Sequence, residues 1–147
     1  MQDLRQFFLG KRVFVTGHTG FKGSWLSWSL LELGADVTGF SLAPESGSLF
    51  QITGLDREVS SIEGDVSDYD TLFAEIERSK PEIVFHLAAQ ALVLPSFADP
   101  LDTFRSNVTG TLHLLESIRH VSSVQSAIIV TSDKCYQNNG VGSCGKE

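Results

Sequence analysis

Two stretches of this 147-residue chain have residue types and spacings suited to chemistry. The first is Val13-Phe14-Val15-Thr16-Gly17-His18-Thr19-Gly20-Phe21-Lys22-Gly23, with glycines at 17, 20 and 23. It follows a β-branched and aromatic run and precedes a helical pattern that stops at Gly34, so it predicts a buried strand, a tight turn and a helix start. Each glycine then has a task. Gly17 lets the chain turn off the strand, Gly20 removes a side chain where a diphosphate would approach the backbone, and Gly23 lets the helix pack closely on the sheet. The helix would aim its free N–H groups and positive dipole end at that diphosphate. Lys22 either adds a charge-assisted contact or is a solvated surface lysine. The bland alternative is an ordinary strand–helix turn, and the flanking patterns weigh against it. The second stretch is Ser132-Asp133-Lys134, which closes a strand-like run over 126–131. On residue types alone it is a polar strand end capping the next element.

The elements that position these residues follow from periodicity. Strands are predicted over 12–16, 36–41, 59–63, 82–90 with its turn, and 126–131, with helices over 21–33, through Leu72, Phe73 and Ile76 to a stop before Pro81, and over 102–121. The pattern alternates strand and helix, which predicts an α/β fold: a Rossmann-type, doubly wound parallel sheet of about five strands. Residues 4–10 read as a short lead-in whose Phe7, Phe8 and Leu9 cover an edge of the core. The helix over 21–33 is apolar on most sides, so Trp25 and Trp28 are expected in the core. Ser67 with Asp70 reads as a helix-capping signal. Residues 44–54 form a loop with a short helix near its end, and 92–100 form a loop with two prolines.

Open α/β sheets bind ligands at the carboxyl ends of their strands. The second strand ends in Gly39-Phe40-Ser41-Leu42, with no carboxylate for a ribose and no arginine before Arg57 to meet a 2′-phosphate. That leans towards NAD over NADP. Asp65, after the third strand, either accepts a hydrogen bond from an adenine amino group or caps a helix, and both readings stand. Ala88 and Ala89 are small where backbone would lie beside a cofactor, and His86 reads as a satisfied core histidine.

Composition excludes other classes. Hydrophobic residues make up 41% and charged residues 20%, the balance of a soluble globular chain long enough for a core. A net charge of −7 argues against a nucleic-acid partner, which needs a basic surface. No apolar run reaches membrane-span length, and the four histidines are scattered without zinc spacing. Cys135 and Cys144 form no C-x-x-C pair and no disulfide framework, so a cytoplasmic location is expected.

Four stretches carry a resemblance: Val15 to Trp25, His86-Leu87-Ala88-Ala89-Gln90, Asn107-Val108-Thr109-Gly110-Thr111, and Val130 to Tyr136. In them the chain resembles the N-terminal part of the extended short-chain dehydrogenase/reductases, and among these the CDP-glucose 4,6-dehydratases. The His-Thr-Gly-Phe-Lys-Gly-Ser-Trp form of the glycine turn and Ser-Asp-Lys at 132–134 are its most specific parts. The resemblance implies a lyase of deoxysugar biosynthesis that uses NAD transiently and acts on a sugar nucleotide, CDP-glucose. It implies a homo-oligomer for the whole family member. It places cofactor contacts at Gly17, Thr19, Gly20, Phe21, Lys22, Gly23, Ser41, Asp65, Val66, Leu87, Ala88, Ala89, Gln90 and Asn107. It makes Asp133 the acid, Lys134 the base and Ser132 a hydrogen-bond partner of the C4 oxygen.

The chain also departs from that family. No Tyr-x-x-x-Lys pair occurs, and Tyr136 is followed four residues on by Gly140. Leu94-Pro95 stands where an arginine is expected, and residues 140–147 replace an expected tryptophan-rich segment. A frameshift, a premature stop near Asn139 or deliberate trimming would account for the missing pair and the altered tail. The expectation is therefore an NAD-binding domain over 1–147 without its substrate region, which binds a dinucleotide but does not complete the dehydration alone. The competing readings are a related epimerase or dehydratase, and a non-catalytic nucleotide-binding module.

Overall fold

A computed structural model describes residues 2–132. The chain runs α1 (Gln2–Phe8), β1 (Arg12–Thr16), α2 (Phe21–Glu32), β2 (Asp36–Ser41), α3 (Leu49–Ile52), a 3-10 turn (Leu55–Arg57) and β3 (Ser60–Glu63). It continues through α4 (Tyr69–Ser79), β4 (Ile83–His86), α5 (Val93–Ala98), α6 (Pro100–Phe104), a π turn (Arg105–Thr109), α7 (Gly110–His120) and β5 (Ser126–Ile129). The five strands form one parallel sheet in the order β3-β2-β1-β4-β5. The order reverses direction between β1 and β4, where such sheets open a ligand crevice. The doubly wound expectation is met.

Alternation along β1 explains the two layers. Val13 and Val15 face one core with Leu30 of α2, Val37 and Phe50. Phe14 faces the other with Phe40, Leu72 and Ile76 of α4, Val84 and Leu114 of α7. With both sheet faces covered, the central strands are hydrophobic on both sides, as parallel strands must be.

Several local expectations are corrected. Trp25 and Trp28 lie 46% and 44% exposed, ring against ring on the surface. The helix buries its small face instead, Gly23, Ser24, Ser27 and Leu30, because close approach to β1 leaves no room for indoles. Residues 92–100 are not a loop. Pro95 sits in the first turn of α5, where its missing N–H costs nothing, and Pro100 opens α6. Asp68, not Ser67, caps α4, accepting from the Thr71 N–H at 3.2 Å. The helix expected over 102–121 is interrupted near its start by a π turn, Arg105–Thr109. Residues 4–10 belong largely to α1; Phe8 packs on the core while Phe7 and Leu9 stay exposed.

Candidate functional site

The carboxyl ends of β1, β2, β3 and β4 surround a cleft of about 730 Å³. Its floor is the turn from β1 into α2. Gly17 has φ +72, and a Cβ there would come within 2.7 Å of the Ala88 nitrogen. The turn can therefore lie against the β4 end only if residue 17 has no side chain. A Cβ on Gly23 would stand 2.0 Å from the Gly17 carbonyl oxygen, so α2 starts in backbone contact with the turn. Gly20 differs: φ is −73, and its Cβ would make only ordinary contact at 3.4 Å. It caps α2 without a side-chain hydrogen bond. The N–H groups of Phe21, Lys22 and Gly23 have no intrahelical acceptor by helix geometry, and they stand at the positive end of the dipole. An uncapped helix start behind a side-chain-free turn fits an anionic diphosphate.

The walls come from the other strand ends. At β2, the Thr19 and Ser41 hydroxyls share a hydrogen bond of 2.7 Å, and Thr19 donates to the Leu42 carbonyl at 3.2 Å. Glu45 and Asp65 also line the cleft, and no arginine or lysine does among the described residues. Asp65 uses Oδ1 to accept from the Ser67 N–H at 2.8 Å, a turn that leads into the Asp68 cap. Gly64 lets the chain pass the Phe40 ring, which a Cβ would meet at 2.3 Å.

The fourth wall, Leu87 to Leu92, is held by a buried polar chain. Thr16 Oγ1 accepts from the Leu87 and Ala88 N–H groups, each at 3.2 Å. Its own proton therefore goes to His86 Nδ1, 2.7 Å away, so His86 carries its hydrogen on Nε2. Nε2 donates to Thr111 Oγ1 at 3.0 Å, and Thr111 donates to the Asn107 carbonyl at 2.7 Å. Burial pushes the His86 pKa down to about 4, keeping the ring neutral as this direction of donation requires. His86 is thus the satisfied core histidine expected.

Asn107 lies in the π turn and grips the Gln90 backbone from both sides. Its Oδ1 accepts from the Gln90 N–H at 2.7 Å and its Nδ2 donates to the Gln90 carbonyl at 2.9 Å. The Gln90 side chain bonds Leu92 and Thr103, tying α5 and α6 to the same wall.

The nominated residues Gly17, Thr19, Gly20, Phe21, Ser41, Asp65, Val66, Leu87, Ala88, Ala89 and Gln90 come together around the cleft. Gly23 lies beneath it, Lys22 and Asn107 are outside its lining, and Asn107 acts through Gln90. Ser132 follows β5 at the same end of the sheet, and Asp133 and Lys134 lie outside the described residues. Sequence reasoning missed Thr16, Thr111, Glu45 and His18. Of these only His18 had a signal, a glycine at 39 inside a strand, which marks a close approach by another group.

Known proteins share this architecture. A CDP-glucose 4,6-dehydratase of Salmonella typhimurium is 52% identical over 135 residues, covering 91% of this chain and 38% of its own length. A UDP-glucose 4-epimerase of Thermotoga maritima, solved with UDP-glucose, is 30% identical with a TM-score of 0.76, over 90% of this chain and 41% of its own. A UDP-glucose 4-epimerase of Brucella ovis, solved in complex with NAD, is 30% identical with a TM-score of 0.73, over 92% and 39%. The chain spans about two fifths of the length of each of these proteins. The likeness to the Salmonella protein bears out the resemblance carried by the four motifs. The profile of the GDP-mannose 4,6 dehydratase family matches residues 14–141, and the chain belongs to that family.

Proposed function

We propose that residues 1–147 form the dinucleotide-binding part of a sugar-nucleotide 4,6-dehydratase that takes NAD and acts on CDP-glucose. The observation that carries this reading is the uncapped start of α2 behind Gly17 and Gly20, opening into the cleft at the carboxyl ends of the strands. The 52% identity to a CDP-glucose 4,6-dehydratase supports the substrate. The diphosphate is assigned to the first-turn N–H groups of α2 and the adenine end to Asp65. Thr19, Ser41 and Glu45 take the neighbouring ribose. Three carboxylates, Glu45, Asp65 and Asp102, and no cation in that lining would repel a 2′-phosphate, so NAD is preferred to NADP.

Bound there, NAD would supply a reversible hydride carrier, holding the hydride removed from the sugar's C4 until it is returned at C6. The chain's own residues are assigned the elimination between those steps. Beside a C4 ketone the C5 proton is acidic, and Lys134 removes it. Asp133 protonates the C6 oxygen, which leaves as water, while Ser132 holds the C4 oxygen. The base needs a lowered pKa, from burial or a neighbouring cation. No Tyr-x-x-x-Lys pair is present to take the C4 hydroxyl proton, so these 147 residues alone bind but do not turn over. We assign the protein to the cytoplasm, where NAD and activated sugars meet, and the complete enzyme to a homo-oligomer. Among the described residues no helix is long and apolar enough to cross a membrane.

Calorimetric titration with both dinucleotides tests the reading. NAD is expected to bind, and more tightly than NADP. No NAD binding would overturn the reading, and tighter NADP binding would overturn the assignment of the ribose wall.

A further inference from the structure

His18 takes no part in the steps above, although it stands between the first two glycines of the turn. It is fully buried and does not line the cleft. Its ring lies against the backbone of β2, in space that only a glycine leaves: a Cβ on Gly39 would meet Cγ and Cδ2 at 2.3 Å. Phe50 closes over it edge-to-face, with ring centres 5.1 Å apart. Past Gly39, Nε2 shares a hydrogen bond of 2.7 Å with Oγ of Ser61 on β3. The side chain therefore runs from the end of β1, across β2, to β3. The backbone beside it is tied as well. The Gly17 N–H donates to the Phe40 carbonyl at 2.9 Å, and the Ser24 hydroxyl, which donates to the Gly20 carbonyl at 2.8 Å, also reaches the His18 carbonyl at 3.2 Å.

As a filler for this space a histidine is costly. Nδ1 is buried without a hydrogen-bond partner. Burial pushes the pKa down to about 4, a shift that the neighbouring Phe40 backbone opposes. A phenylalanine would fill the space with neither penalty. What the imidazole adds is one directional bond, and that bond joins the floor of the cleft, the turn at 17–20, to one wall, the strand that leads to Gly64 and Asp65.

We propose that His18 is a positioning residue, a buckle that ties the glycine turn to β3 through Ser61 and so sets the first-turn N–H groups of α2 for phosphate. The phosphate part of this inference rests on the dinucleotide reading above; the buckle does not.

The test uses the 147-residue chain with His18→Phe, His18→Gln and Ser61→Ala. His18→Phe keeps an aromatic ring in the space and removes the bond, and Ser61→Ala removes the hydroxyl and leaves the buried Nε2 without its partner. Both are expected to melt several degrees below the wild type, Ser61→Ala because a buried ring nitrogen loses its partner and His18→Phe because the larger ring crowds the site. Both should exchange the amide hydrogens of Gly17, Gly20 and Ser24 several-fold faster, and bind NAD about fivefold more weakly, the size of one net hydrogen bond. His18→Gln, whose neutral amide can reach Ser61, should restore slow exchange and affinity. Unchanged exchange at those three amides in both Ser61→Ala and His18→Phe overturns the buckle. So does an equal rise in exchange at amides throughout the sheet, the mark of general destabilisation rather than of a loosened turn. Should His18→Phe fail to fold, Ser61→Ala decides alone. If the wild-type chain binds no NAD, the dinucleotide reading fails while the exchange comparison still decides the buckle.

Discussion

Replacing Gly23 by alanine sets two effects of opposite sign against each other. Gly23 lies in the first turn of α2, in a helical conformation, and a Gly→Ala change inside a helix ordinarily stabilises by about 1 kcal/mol. Here the new methyl would stand 2.0 Å from the Gly17 carbonyl oxygen and 2.7 Å from His18 Cα. Both neighbours are backbone, so no side chain can swing aside. To reach ordinary contact the helix must retreat by roughly 1.4 Å. Overpacking of this kind costs about 1–3 kcal/mol or more, and a backbone clash belongs at or beyond the upper end. The net loss is about 2 kcal/mol, which for a chain of this size lowers the melting temperature by about 4–8 °C. The retreat also carries the first-turn N–H groups away from the turn. Losing one charge-assisted hydrogen bond to a phosphate, about 1.5–3 kcal/mol, weakens NAD binding more than tenfold. Gly20→Ala is the internal control, because its Cβ finds ordinary contact at 3.4 Å with φ at −73. It should melt within about 1 kcal/mol of wild type yet bind NAD more weakly, since the methyl enters the cradle itself. Thermal melts and calorimetric titration of both variants measure this. A Gly23→Ala chain as stable as wild type, with unchanged affinity, would refute the close packing of α2 on the turn.

Three further outcomes are expected. His18 and His86 are held neutral by burial, with pKa values lowered from 6.5 to about 4, so the unfolded chain binds more protons between those values. Stability from these two groups is therefore complete above pH 6.5 and lost as pH falls towards 4, by up to about 3 kcal/mol each; urea midpoints equal at pH 7 and pH 5 would contradict this. Asn107→Asp keeps an acceptor for the Gln90 N–H but loses the donor to its carbonyl, and should cost about 1–3 kcal/mol and weaken NAD binding, with a wild-type urea midpoint as the contrary result. Leu101, Phe104, Leu112 and Leu115 form an exposed apolar stripe along α6 and α7, and β5 is an edge strand, so the chain should self-associate; a monodisperse monomer in light scattering with cooperative unfolding would contradict that.

The architecture was legible because it depends on local periodicity. The bounds of β1 and β2 were read from β-branched and aromatic runs, β1 ending at a glycine turn, and the parallel sheet from their alternation with helices. The three glycines announced the phosphate turn, and two of them proved to be demanded by backbone contacts under 3 Å. The tryptophans were misread for a related reason. Apolar character along α2 does not say which side meets the sheet, and Gly23 made the small-residue side the only one able to approach. The short helix α5 was missed because prolines signal breaks unless their place in a first turn is known.

By itself, then, the sequence determined the strand–turn–helix at 12–32, the doubly wound order of elements and the family. All of these are written in residues near one another along the chain. Only the tertiary structure decided how the walls of the cleft are joined. Thr16 meets His86 across 70 positions, Gln90 meets Asn107 across 17, and His18 meets Ser61 across 43. A hydrogen bond depends on the position and direction of both partners, and neighbouring strands in a parallel sheet are separated in sequence by the whole crossover between them. No periodicity in either segment records the other, so the tautomer of His86, the grip of Asn107 and the reach of His18 exist only once the sheet has closed.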